Sequence, residues 1–171
     1  HVHFHRIELV APTLDSAAQN FAAVHAVRSS PSGMLLLAES AGELVFERLQ
    51  ETRTVGAWRL QRAPEENQTL IAQAGLTKIA IVCGRQIRCA EGLEVLALGT
   101  TTQYSDGSSL EATIDRVHAD GVSAVLPWGF GKWTGKRGTL IEELFQRRSP
   151  ADMFAGDNGG RMQVLGMPRL L

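Results

Sequence analysis

The apolar positions change period several times along the chain, and each change marks an element. Residues 1–5 alternate polar and apolar, His-Val-His-Phe-His, which predicts a short strand. Residues 14–27 carry Leu14, Ala17, Ala18, Phe21, Val24 and Val27 at helical spacing, so an amphipathic helix is expected there. Residues 34–38 are an apolar run after the turn Pro31-Ser32-Gly33 and predict a buried strand. Ser40-Ala41-Gly42-Glu43 has the form of a capping box, and Leu44, Val45, Phe46 and Leu49 follow it as a second helix. Residues 58–61 and 69–72 are short strands flanking a polar turn at 64–67. Residues 78–87 and 93–99 are the strongest strands, rich in Ile, Val and Leu, and the turn at 89–92 predicts a hairpin.

Strand and helix then alternate. Ser108-Ser109-Leu110-Glu111 is a second capping box, opening a helix through Ala119 that Gly121 stops. Residues 122–126 form a buried strand, and Thr139-Leu140-Ile141-Glu142 caps a helix reaching Arg148, whose basic end suits the helix dipole. Residues 153–155 are a short strand, 156–160 a loop, and Pro168 opens a further helical turn. Such alternation argues for an α/β fold with a parallel sheet or barrel. A complete eightfold barrel takes about 200–250 residues, whereas this chain has 171. A distorted or incomplete (β/α) barrel is therefore expected. Residues 1–171 are read as one domain, cut at both ends because it opens inside a strand and closes in the first turn of a helix.

Composition narrows the function classes. The chain is 44% hydrophobic and 20% charged, ordinary for a globular protein with a sizeable core. A net charge of −1 supplies no global field for nucleic acid or an anionic membrane, so neither is expected as a partner. The sequence does not set the oligomeric state. No apolar stretch approaches the roughly 20 residues that span a bilayer, and no leader is recognisable, so a cytoplasmic location is expected. Cys83 and Cys89 are too few for a disulfide framework and read as buried free thiols. No nucleophile has a convincing base partner.

Four groups could carry chemistry. Residues two apart on a strand share a face, so His1 and His3 could hold one metal ion, with His5 beside them. A tag remnant or plain surface histidines are the alternative. The segment 126–138, Leu-Pro-Trp-Gly-Phe-Gly-Lys-Trp-Thr-Gly-Lys-Arg-Gly, lies between a buried strand and a helix start. Its glycines, Gly129 and Gly131 among them, let backbone N–H groups approach a ligand, and Lys132, Lys136 and Arg137 add charge. The combination suits phosphate or carboxylate; a packed loop with a solvated basic tip is the alternative. In Gly156-Asp157-Asn158-Gly159-Gly160-Arg161, Asp157 could bind metal or polarise a water and Arg161 could hold an anion, unless this is a simple turn. Glu94 is a charge in an apolar strand, and with Gln86 it could face a pocket mouth or solvent. Ser105-Asp106-Gly107 reads as a turn, and His25 and His118 as ordinary helix residues.

Together these segments resemble the polymerase-and-histidinol-phosphatase (PHP) family and the wider amidohydrolase-like hydrolases. His1-Val2-His3 matches the His-x-His strand that opens the family. Gln86, in Gly84-Arg85-Gln86-Ile87, and Glu94 fall where the family places a metal-binding Glu and His. The family's His-Pro loop corresponds to Leu126-Pro127-Trp128-Gly129, which lacks the histidine. The resemblance implies a PHP-type barrel and hydrolysis of a phosphoester or related bond. A divalent metal, Zn, Mn or Fe, would sit on His1, His3 and Glu94, with Asp157 or Glu94 assisting catalysis. Gly129, Gly131, Lys132, Lys136, Arg137 and Arg161 would then hold a small anionic substrate. The alternative is a non-catalytic relative binding an anionic metabolite or partner through residues 129–138.

Overall fold

A computed structural model describes residues 1–24, 32–64, 66–129, 131–149 and 152–157. Helix α1 (Val10–Val24) is followed by strand β1 (Ser32–Leu36), α2 (Val45–Glu51), β2 (Thr54–Val55), β3 (Trp58–Ala63), β4 (Glu66–Ala74) and β5 (Thr77–Val82). Then come β6 (Gly84–Arg88), β7 (Glu94–Leu98), α3 (Leu110–Ala119), β8 (Ser123–Trp128), α4 (Lys136–Arg147) and β9 (Phe154–Asp157). The strands form a five-stranded sheet, β1-β5-β4-β3-β2, and a four-stranded sheet, β6-β7-β8-β9.

The first sheet is an antiparallel meander, β2 through β5, with β1 added parallel to β5. Period-two burial explains it: Trp58 and Leu60, Leu70 and Ala72, Ile79 and Ile81 all face one core. Leu14 and Ala17 of α1 and Val45, Phe46 and Leu49 of α2 fill that core. In the second sheet β6/β7 and β7/β8 are antiparallel and β8/β9 parallel. Ile87, Val95, Ala97, Ala124 and Leu126 pack there with Leu110, Ile114 and Val117 of α3 and Ile141 and Leu144 of α4.

The two sheets join along one continuous line of chain. Cys83 takes a backbone bond from Gly99 and gives one to Gln68, so the strand through residues 77–88 changes neighbours there, from β4 to β7. On its other side residues 37–39 prolong β1: Leu37 N–H donates to Val82, Glu39 N–H to Gly84, and Gln86 N–H to Glu39. Val2 then bridges Leu37 in parallel. The N-terminal segment therefore adds only a single bridge to the sheet rather than the full strand expected for residues 1–5.

The barrel expectation is overturned. The described residues form two small sheets and no closed barrel. A (β/α) barrel needs a helix between successive parallel strands, but here β4/β5 and β6/β7 are hairpins, turning at Gly75 (φ +56°) and Gly92 (φ +71°). A hairpin forces antiparallel pairing, so β1/β5 and β8/β9 are the parallel pairs among the named strands. The capping boxes also shift. Ser109, not Ser108, caps α3 by accepting from Ala112 N–H at 3.3 Å. Helix α4 opens at Lys136, before Thr139, and Thr139 N–H donates to Gly135 instead of being capped. Ser40 and Glu43 close a turn ahead of α2, with Ser40 N–H donating to the Glu43 carboxylate. Helix α1 begins at Val10, and the expected end of that helix at residues 25–27, like the turn expected at Pro168, lies outside the described residues.

Candidate functional site

Among the described residues the helices cover one face of the joined sheets and leave the other free of helix. On the other face the register places Gly84, Gln86 and Arg88 beside Leu98, Leu96 and Glu94, then Ser123, Val125 and Pro127, then Phe154 and Gly156. Since Val2 bridges Leu37, alternation puts His1 and His3 on this same face, with Leu36 and Ala38. A cleft of about 110 Å³ opens there, lined by His1, Leu36, Leu96, Leu98, Val125 and Pro127. Residues far apart in sequence that carried the family resemblance thus face one surface.

At the rim of this face lies a chain of polar groups. Gln86 Nε2 donates to Glu94 Oε1 at 3.2 Å, and Lys132 Nζ donates to Glu94 Oε2 at 2.5 Å. Gln86 is the register partner of Leu96, so the chain begins beside the cleft wall. Glu94 is neither a solvent-facing charge nor a free ligand: Lys132 neutralises it, with the lysine side chain 44% exposed.

Local backbone explains how Lys132 arrives there. Gly131 and Gly135 take φ of +76° and +57°, where a side chain is strained. A Cβ on Gly129 would sit 3.1 Å from Lys132 Cδ, so glycine leaves room for the lysine stem. Arg137 donates to the carbonyls of Gly92 at 3.3 Å and Gly131 at 3.1 Å, fastening the loop to the β6–β7 hairpin. Lys136 is exposed at the start of α4, where no side chain caps the first N–H groups. The loop thus concentrates positive charge beside the polar chain.

The other expected residues fall differently. Asp157 belongs to β9, paired with Trp128, rather than to a following loop; its side chain and the whole of Arg161 lie outside the described residues. Ring centroids of His1 and His3 are 5.0 Å apart, edge to face, and those of His3 and His5 are 6.0 Å apart, stacked. His5 leaves the pair: its Nδ1 is 2.8 Å from Glu43 Oε1. Among the described residues, no three His, Cys, Asp or Glu side chains are grouped so as to hold a metal ion. Among the described residues Glu94 is held by Lys132 and is not grouped with His1 and His3, so the metal set implied by the resemblance is not assembled there.

Behind the site, on the helix-covered face, is a buried charge network that the sequence reading missed. Arg85, 2% exposed, donates to Glu39 Oε2 at 2.5 Å, Glu47 Oε1 at 2.5 Å and the carbonyls of Glu43 and Thr101 at 2.8 and 2.9 Å. Glu39 in turn accepts from Phe46 N–H at 2.9 Å, which starts α2. Burial pushes the Glu39 carboxyl above its ordinary range, against the opposing pull of Phe46 N–H and Arg85. A signal was available: Arg85 lies between apolar stretches, and Glu39 ends one.

Comparison with protein-family models, with curated proteins and with solved structures gives no significant match. Among the described residues no helix is long and apolar enough to cross a membrane.

Proposed function

We propose that the chain binds a small anionic molecule, of phosphorylated type, on the helix-free face. Lys132 is the anion anchor, and Leu36, Leu96, Leu98 and Val125 receive the apolar part of the ligand. The observation that carries this reading is the Lys132–Glu94–Gln86 chain, whose Gln86 pairs in register with Leu96 in the wall of an apolar cleft. A lysine amine is a mobile point charge. An incoming oxyanion competes with Glu94 for it, and Glu94 keeps its bond from Gln86. Arg137 and the start of α4 add positive potential to the same loop.

Thermal stabilisation by a panel of small phosphate monoesters, in the presence of EDTA, tests the reading. Lys132→Gln keeps a donor for Glu94 and removes the charge. It is expected to weaken binding about tenfold, the loss of one charge-assisted hydrogen bond. Equal affinity in wild type and variant contradicts the assignment.

A second reading is a metal-dependent hydrolase, favoured by His1 and His3 sharing a face with Gln86 and Glu94. It requires metal uptake. Elemental analysis of chain prepared without a polyhistidine tag then gives near-stoichiometric zinc, manganese or iron, lost in His1→Ala/His3→Ala. A chain that takes up none of these metals rules the hydrolase out and leaves the anion-binding reading.

A further inference from the structure

A separate cavity of about 300 Å³ lies on the helix-covered side, between the segment 103–108 and α3. Its floor is Ile87, which belongs to the α3-covered core and not to the cleft face. One wall brings Gln103, Ser105 and Ser108; the other brings Ala112, Thr113 and Arg116, one face of α3.

The unengaged side-chain groups there can all donate, and the two serine hydroxyls can accept as well. Arg116 spends only its Nε, on Asp120 Oδ2 at 3.3 Å. Among the described residues no hydrogen bond engages its two terminal nitrogens, the Gln103 amide nitrogen, or the Ser105 and Ser108 hydroxyls. The nearby carboxylates are spoken for and do not line the cavity. Asp106 accepts from Arg88 N–H, Glu91 from Leu110 N–H, and Asp120 from Tyr104 and Arg116. Arg116 carries the one formal charge among the lining residues, and its ion pair with Asp120 runs through Nε alone, which leaves the two terminal nitrogens of the guanidinium for the cavity.

We propose that this cavity is a second binding site, for a small organic phosphate, with the oxyanion held between Arg116 and the Ser105–Ser108 hydroxyls. Donors approach from two walls, so an acceptor with oxygens on several sides satisfies them better than a planar one. The guanidinium fork supplies two parallel N–H groups to such oxygens. Ile87 and Ala112 give the carbon skeleton an apolar floor.

Calorimetric titration of the Lys132→Gln chain with glycerol phosphate, and separately with inorganic phosphate, tests the site apart from the helix-free face. While the event on the helix-free face weakens in that variant, one binding event is expected to keep its wild-type affinity. Adding Arg116→Gln is expected to weaken it by about tenfold or more, while Arg116→Lys gives an intermediate loss. The Arg116 side chain is 68% exposed, so the variants should melt as the parent does. Binding of both probes assigns the site to the phosphate group; binding of the monoester alone makes the floor part of recognition. No event in the Lys132→Gln chain, or an event that Arg116→Gln leaves unchanged, overturns the proposal.

Discussion

Arg85 makes four hydrogen bonds from a position almost wholly removed from water, two of them to carboxylates. Taking one partner from a buried ion pair leaves the other charged and unsolvated, which typically costs about 3–5 kcal/mol. Arg85→Met should therefore destabilise the chain by that order, read by urea unfolding, whereas Glu39→Gln/Arg85→Met together should cost less than the sum of the two singles. Strict additivity of the pair would mean that the network is not a unit. The thiols make a second residue-scale case. Burial pushes the Cys83 thiol up to about 12, and Cys89 is raised for the same reason. Thiolate is the reactive species, so neither should react with iodoacetamide at neutral pH until the chain unfolds. Rapid alkylation of the native protein contradicts the burial. The buried thiols were legible from their apolar surroundings; the Arg85 network was not, because its partners lie 38 and 46 positions away.

Among elements, the long strand through Gly84 decides how the sheets meet. A Cβ at Gly84 would lie 2.4 Å from the Leu37 carbonyl oxygen and 3.0 Å from that of Ala97. Neither backbone can yield without opening a ladder. Gly84→Ala is thus expected to cost several kcal/mol, on the order of a severe core substitution, and to weaken amide protection at Glu39 and Gln86 in hydrogen exchange. Unchanged protection there would count against the seam. Hydrophobic period found most of these strands and helices, since it reports which side chains seek a core. It did not give their pairing. The residues at 58–61 and 69–72 read as separate short strands, but pairing across Gly75 and around Ala63 makes them parts of one meander. The same alternation of strand and helix at each end suggested a parallel barrel, and the hairpins between decided otherwise.

For the whole molecule, acid should act first on the N-terminal segment. Burial pushes the Glu43 carboxyl up, but the contacts with His5 and Ser40 N–H outweigh it, and the group is held below its ordinary range. A lowered carboxyl contributes stability that is full above the ordinary glutamate value, about 4.3, and is lost as pH falls through the folded value. Asp115, held down by Arg148, acts in the same direction. Glu39 runs the other way: its contribution is full below the ordinary value and is lost as pH rises through the raised one. The wild type should therefore lose stability between about pH 5 and 3, and Glu43→Gln should show a shallower acid limb in pH-dependent unfolding. Equal slopes would remove Glu43 from the account.

The candidate site was legible in part at this scale. His1, His3, Gln86, Glu94 and Lys132 were each singled out by residue type in an apolar or glycine-rich setting; strand alternation places Gln86 and Glu94 on the helix-free face, and the single Val2–Leu37 bridge brings His1 and His3 to it. That Lys132 would be bound to Glu94 depends on a loop path set by Gly129, Gly131 and Arg137, which no local pattern specifies. The measurement closest to the central claim is amide chemical-shift mapping of the chain with glycerol phosphate in EDTA. The binding reading predicts the largest shifts at Gln86, Glu94, Leu96, Val125 and Lys132, reduced in Lys132→Gln. Shifts that leave these five positions unmoved would contradict it.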